Sequence, residues 1–161
     1  MSTNAIAALF YQIPEGVLVI TGGLGLLGIT LPRKRILLLG LVFGLSIPLM
    51  RNVGIPLGLH VPILWMVASL VVRLGMSVTL STAIASATLA FFLLSLGEQL
   101  LVYPLMTVYG ASFQTVYQNP WQLVQWGWLS ASFLLLATIA SQFGFVLIPA
   151  PNGDTQVSPD D

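Results

Sequence analysis

Apolar residues occur in long runs along the chain, and short polar or charged stretches separate these runs. The runs cover residues 7–31, 36–50, 56–74, 76–102 and 123–148. A helix of about 20 apolar residues crosses the hydrocarbon core of a bilayer, so the pattern predicts about five transmembrane helices. The second run is the shortest and contains Pro48, which leaves open a tilted or partly re-entrant helix at that position.

Composition indicates the same class of protein. Hydrophobic residues make up 57% of the 161 residues and charged residues only 6%, whereas soluble domains are about one quarter charged. We therefore expect an all-α, polytopic integral membrane helix bundle over residues 1–148, followed by a short polar tail over residues 149–161. The N-terminal sequence lacks the basic residues of a cleavable signal peptide, so we expect the first apolar run to be retained.

Charge and residue usage exclude several classes of function. The formal net charge is zero and the five basic residues are spread along the first half of the chain, which excludes a nucleic-acid partner. The chain has no cysteine and a single histidine, and it contains no HExxH or Ser-His-Asp arrangement. We expect no metal, no cofactor and no enzymatic activity.

The basic residues predict the orientation of the helices. Arg33, Lys34 and Arg35 lie together between the first and second apolar runs. Because Lys and Arg favour cytoplasmic loops, this loop is expected on the cytoplasmic side of the cell membrane. Five crossings then place the N-terminus outside, Arg73 on the cytoplasmic side and the C-terminus in the cytoplasm.

Residues 103–122 combine aromatic and polar side chains between the fourth and fifth runs. Rings with a polar edge settle at the level of the lipid headgroups, so this stretch predicts an interfacial segment on the outer side that contacts membrane lipids. The expected membrane-interface anchors are Tyr103, Tyr109, Trp121, Trp126 and Trp128.

Three glycines in the stretch VLVITGGLGLLG have the GxGxxG spacing of a dinucleotide-binding turn. That turn requires an acidic residue about 20 positions later, whereas the next acid after Glu15 is Glu98. We therefore expect a transmembrane helix in which Gly22, Gly25 and Gly28 allow a second helix to approach closely.

Small residues recur every four positions in the fourth run, which is typical of a packing helix in a membrane. One predicted ridge consists of Ser77, Ser81 and Ala85, and the adjacent ridge of Thr82, Ser86 and Ala90. A polar path lined by these hydroxyl groups is the less favoured alternative, since Ser and Thr can form hydrogen bonds with their own helix backbone.

Four ionisable residues from separate parts of the chain are predicted to lie in one layer near the outer surface. They are Glu15, Arg51, His60 and Glu98. Their depths follow from a rise of about 1.5 Å per helical residue, counted from the cytoplasmic markers. Because ionisable groups in a membrane usually pair inside the bundle, we predict a polar cluster that stabilises the bundle or binds a ligand. The alternative for Glu15 is simple capping of a helix that starts at Pro14.

The stretch RNVGIPLGLHVPILWMVASLVVRLGMS, residues 51–77, resembles the membrane regions of Gram-positive sensor histidine kinases, including the quorum-sensing type. In that pattern an Arg-Asn pair and a Pro-(Leu/Phe)-Gly-(Ile/Leu)-His stretch lead into a span that ends in a basic residue. The stretches GEQLLVYPLM and QNPWQLVQWGWL are similar to downstream regions of the same family. The resemblance implies that the four ionisable residues belong to a shared sensing module.

The chain departs from the kinase plan after residue 148, where the remaining tail has no dimerisation helices, phospho-accepting histidine or ATP-binding domain. Our leading hypothesis is a stand-alone, non-enzymatic sensor-like or accessory module that binds a small ligand or a partner protein in the membrane. A structural subunit that self-assembles into a homo-oligomer or polymer is the first alternative. A substrate-binding subunit of a transporter is the second.

Overall fold

The computed structural model describes residues 6–29, 32–52 and 57–150, and within these ranges every regular element is helical. For residues 51–52, 57–58, 113–114 and 117 it describes the backbone alone. The α-helices are α1 (Ile13–Gly25), α2 (Arg33–Asn52), α3 (Leu57–Met76), α4 (Leu80–Gly97), α5 (Tyr103–Tyr109), α6 (Phe113–Gln118), α7 (Pro120–Ser130) and α8 (Ser132–Gln142). Two π-helical turns, Ala8–Gln12 and Glu98–Val102, precede α1 and join α4 to α5. The all-α prediction is confirmed for the described residues.

Two helices in the described ranges are long and apolar enough to cross a membrane. They are Leu59–Met76 and the continuous 30-residue helix Leu80–Tyr109. A third crossing results if α7 and α8, which are bent by 49°, form one span. Two to three crossings therefore follow from helix length and composition, compared with about five predicted. The predicted interfacial segment, residues 103–122, begins inside the longer helix. The predicted polar tail lies outside the described residues from residue 151 onward.

Each π-helical turn is followed, two residues after its end, by a proline. A proline ring has no N–H and clashes with the carbonyl group four residues earlier in an α-helix. For Pro14 and Pro104 those carbonyls belong to Phe10 and Leu100, and both lie inside π-helical turns. The wider turn gives each ring room, so the helix continues through the proline.

Polar side chains cap the ends of several helices. The Thr79 hydroxyl accepts a hydrogen bond from the backbone N–H of Thr82 at the start of α4, at 3.4 Å. The Asn119 side chain accepts from two N–H groups in the first turn of α7, at 3.0 and 3.4 Å. The Arg73 guanidinium donates a hydrogen bond to the carbonyl of Val78 and so connects the end of α3 to the short segment between α3 and α4.

Helices α1, α5 and α8 end in the same glycine cap. After α1, Gly28 adopts a φ of 75°, and the N–H of Ile29 donates to the Leu24 carbonyl at 3.1 Å. This is the Schellman arrangement, which favours a residue without a Cβ atom. Gly110 and Gly144 occupy the equivalent positions, with φ of 63° and 85°. Gly28 therefore lies in the cap that ends α1, and a Cβ atom there would lie 3.2 Å from Cγ2 of Val146 in the segment after α8.

Helix α1 forms the centre of the bundle and packs against α2, α4 and α8. Its side chains Ile20 and Leu24 are almost completely buried. The α1–α2 crossing brings the two backbones together, because a Cβ atom on Gly16 would lie 2.5 Å from the Gly40 carbonyl oxygen and 2.6 Å from the Gly44 nitrogen. Close packing of this kind replaces the hydrophobic driving force that is lacking between helices in lipid.

Candidate functional site

A cavity of about 210 Å³ lies between α1, α2, α3 and α4, and we call it the acidic cavity. Its polar lining consists of Tyr11, Glu15, His60, Ser95 and Glu98. Its apolar wall includes Phe43, Ile47, Leu64, Phe91 and Leu94. Three of the four ionisable residues singled out in the sequence thus line one cavity, although they are distant in the chain.

The first carboxyl group of the cavity is held by a local hydrogen bond. The Tyr11 hydroxyl donates to Oε1 of Glu15 at 2.8 Å. The two residues are four positions apart and therefore share one face of the helix. Tyr11 is buried and Glu15 is half-buried, so this bond fixes the orientation of the carboxyl group toward the cavity.

The second carboxyl group stands at a change of helix type. Glu98 is the first residue of the π-helical turn that follows α4, and Ser95 precedes it by three positions on the last turn of α4. π-helical turns are rare and frequently occur at functional sites. His60, near the start of α3, is half-buried at the same cavity. The polar side chains therefore converge from three segments of the bundle.

Arg51, the fourth predicted member, has a side chain outside the described part of the structure. Its backbone lies in the last turn of α2, four positions after Ile47, which lines the cavity wall. The predicted pairing of Arg51 with Glu15 and Glu98 stays a prediction.

The other basic residues lie at the opposite end of the bundle. Arg33, Lys34 and Arg35 begin α2, and Arg73 lies in the last turn of α3. Helices α2 and α3 are in contact, and Gly75 near the end of α3 lies against the side chain of Leu39 in the first half of α2. Four of the five basic residues therefore lie at one end of the bundle, while Glu15, Glu98 and the backbone of Arg51 lie near the other.

The two carboxyl groups of the acidic cavity can accept hydrogen bonds. An ionised carboxylate only accepts hydrogen bonds and favours a nearby positive charge. Among the residues that the structure describes, no group of three or more His, Asp or Glu side chains is placed to hold a metal ion. The cavity lining combines these polar groups with apolar side chains.

Two of the predicted packing glycines contact α8. A Cβ atom on Gly22 would lie 2.6 Å from Oγ1 of Thr138 and 2.7 Å from Cδ1 of Leu134. A Cβ atom on Gly25 would lie 2.8 Å from Cβ of Ser141. Both glycines therefore stand where a side chain would push α8 away from α1.

The small-residue ridges of α4 differ in burial. Ser77 has a φ of 53° and lies before the helix, Ser81 is exposed, and Ala85 is half-buried. On the adjacent ridge, by contrast, Thr82 and Ser86 are both buried. Within a single chain, the second ridge is therefore the one that faces the bundle.

The predicted interface anchors have different surroundings. Four of them, Tyr103, Tyr109, Trp121 and Trp128, are exposed. Trp126 instead packs against a small buried cluster of Val102, Met106 and Val116. Trp128 donates from its indole nitrogen to the Phe10 carbonyl at 3.0 Å, which ties α7 to the first π-helical turn.

Sequence reasoning missed Tyr11 and Ser95 as cavity residues. Both lie three or four positions before a predicted carboxyl residue, so the helical period itself indicates that they share its face. The apolar wall carries no comparable signal, because Phe43 and Phe91 look like any other residues of an apolar run.

Comparison of the chain with protein-family models, curated proteins and solved structures finds no match.

Proposed function

We propose that this chain is a non-enzymatic integral membrane protein that binds a small cationic or hydrogen-bond-donating ligand in the acidic cavity. The observation that carries the proposal is the convergence of Glu15, His60 and Glu98 on one cavity with an apolar wall. A pocket of this type uses apolar contacts for affinity and a few polar groups for orientation. The volume of about 210 Å³ suits a ligand of a few heavy atoms rather than a peptide.

The proposed membrane arrangement has five crossings. Five segments each cross the membrane once in this arrangement. They are the helix that begins at Ala8, helices α2 and α3, the helix Leu80–Tyr109 and the bent pair α7–α8. Its support is the separation of charge along the bundle, because the basic end fits the cytoplasmic side. The acidic cavity would then open toward the outer side, where an external ligand arrives.

The role in a cell that we propose is that of a sensor-like or accessory module. It is consistent with the resemblance to the membrane regions of sensor histidine kinases. A ligand that bridges α1, α3 and the end of α4 would bias the packing of these helices, and a membrane partner would detect that change.

The proposal is tested with n-butylammonium as a probe and n-butanol as its uncharged counterpart. Binding to the purified protein in lipid nanodiscs is measured by calorimetry. We expect n-butylammonium to bind at least about tenfold more tightly than n-butanol, since a hydrogen bond to a charged group contributes about 1.5–3 kcal/mol. The Glu98→Gln variant should lose this preference, and the Lys34→Gln variant, which changes a charge at the other end, should keep it. Equal binding of the two probes, or an unchanged preference in Glu98→Gln, would contradict the proposal.

A structural subunit that self-assembles is the second candidate. The observation that favours it is the exposure of Ser81 on the small-residue ridge of α4, where a second copy has room to pack closely. Native mass spectrometry from nanodiscs distinguishes the two: a defined oligomer that dissociates in Ser81→Leu supports assembly, and a monomer in the wild type removes it. A control variant, Leu41→Ala on the exposed face of α2, should leave the assembly unchanged.

A further inference from the structure

A second and larger cavity of about 530 Å³ lies at the basic end of the bundle, between the end of α1, the start of α2 and the end of α8. Its polar lining includes Thr21, Arg33, Ser141 and Gln142, and its apolar lining includes Ile36 and Val146. We call it the basic cavity. It shares no lining residue with the acidic cavity.

Of the four polar side chains that line the basic cavity, two use their hydroxyl hydrogens within their own helices. The Thr21 hydroxyl donates to the Val17 carbonyl at 2.6 Å, and the Ser141 hydroxyl donates to the Thr138 carbonyl at 2.8 Å. Both hydroxyl hydrogens are therefore used within their own helices. The Arg33 guanidinium and the Gln142 amide remain as side-chain donors, and none of the described residues that line the cavity is acidic. This donor set suits an anion, and the planar guanidinium matches the oxygens of a phosphate group.

An exposed apolar surface adjoins the basic cavity. The segment after α8 bonds to the end of α1, where the backbone N–H of Leu147 donates to the Leu26 carbonyl at 2.8 Å. Phe143 is 87% exposed, and Phe145 and Ile148 are also exposed. Large apolar side chains beside basic groups favour the boundary between lipid headgroups and acyl chains.

We propose that the basic cavity binds the phosphodiester headgroup of an anionic phospholipid. Arg33 and Gln142 contact the phosphate oxygens, while the acyl chains lie along Phe143 and Phe145. The combination of an anion-selective donor set with an adjoining apolar surface distinguishes a phospholipid from free phosphate, which would use the donors alone. The proposal is independent of the ligand of the acidic cavity.

The test uses delipidated protein in dodecyl maltoside, with native mass spectrometry to count bound lipids. Dioleoylphosphatidylglycerol is compared with dioleoylphosphatidylcholine over one concentration series. We expect the wild type to retain phosphatidylglycerol at concentrations about fivefold lower than phosphatidylcholine, because both lipids carry a phosphodiester but the choline group adds a positive charge beside Arg33. Arg33→Gln should abolish the difference, whereas Lys34→Gln, one residue away and absent from the lining, should preserve it.

A second variant tests the cavity without removing its charge. Val146→Trp fills the apolar side of the basic cavity and should weaken phosphatidylglycerol retention while Arg33 is kept. Equal losses in Arg33→Gln and Lys34→Gln would show attraction to the basic cluster in general and would overturn the proposal. Displacement of phosphatidylglycerol by millimolar inorganic phosphate would also overturn it, because the site would then recognise the anion alone.

Discussion

The indole nitrogen of Trp128 donates a hydrogen bond of 3.0 Å to the backbone carbonyl of Phe10, although 118 positions separate the two residues. In an α-helix the Phe10 carbonyl would accept from residue 14, which is a proline and has no N–H. The indole N–H thus bonds a carbonyl for which Pro14 offers no donor. This hydrogen bond connects α7 to the first helix.

Replacing Trp128 with Phe should remove this hydrogen bond between α7 and the first helix. We expect the free energy of unfolding to fall by about 1 kcal/mol, measured by SDS titration in mixed micelles. Trp121→Phe is the matched control, because this substitution keeps the aromatic contact of Trp121 with the Phe10 ring. Equal destabilisation of the two variants would argue against a role for the indole N–H.

The Tyr11→Phe substitution should affect the acidic cavity through Glu15. Loss of the hydroxyl removes the 2.8 Å bond to the carboxyl group, so we expect weaker binding of n-butylammonium by a factor of about 5, equivalent to about 1 kcal/mol. Calorimetry in nanodiscs measures the change. Tyr109→Phe, at an exposed position outside the cavity, should bind as the wild type does. Unaltered binding in Tyr11→Phe would mean that the carboxyl orientation does not matter.

The crossing of α1 and α2 should not accept a side chain at Gly16. Because its Cβ atom would lie 2.5 Å from a backbone oxygen, Gly16→Ala should lower the free energy of unfolding by about 3 kcal/mol. At Gly75 the new Cβ atom would instead meet the flexible end of the Leu39 side chain. Gly75→Ala should therefore cost less than about 1 kcal/mol. SDS titration of both variants makes the comparison, and similar losses would contradict the backbone contact.

The absence of cysteine from the sequence allows a direct test of orientation. A membrane-impermeant maleimide should label Tyr109→Cys on intact cells and Lys34→Cys only after the cells are opened, because the basic end is expected in the cytoplasm. Met66→Cys, on the exposed surface in the middle of α3, should resist labelling in both cases. Labelling of Lys34→Cys from outside would reverse the proposed orientation.

Much of the fold follows from the sequence because charge is so scarce in it. Counting helical turns predicts one layer for Glu15, His60 and Glu98, and the structure places the three residues at one cavity. The helical class follows from the length of the apolar runs in the same way.

Other features could not be predicted because several structures satisfy the same pattern. Helix α4 is apolar or small on every side, and nothing in it indicates that Thr82 and Ser86 face inward while Ser81 does not. A glycine such as Gly28 suits both a close helix contact and a left-handed cap, and only the path of the chain after α1 decides between them.

The helix Leu80–Tyr109 has 30 residues and is therefore about 45 Å long, whereas the hydrocarbon core of a bilayer is about 30 Å thick. The excess must be taken up by tilt or by extension among the headgroups. This same helix carries Ser95 and Glu98 at the acidic cavity. A thinner bilayer would increase the tilt and move that side of the cavity relative to Glu15. In the proposed membrane arrangement, we therefore expect bilayer thickness to change the shape of the cavity even when no ligand is bound.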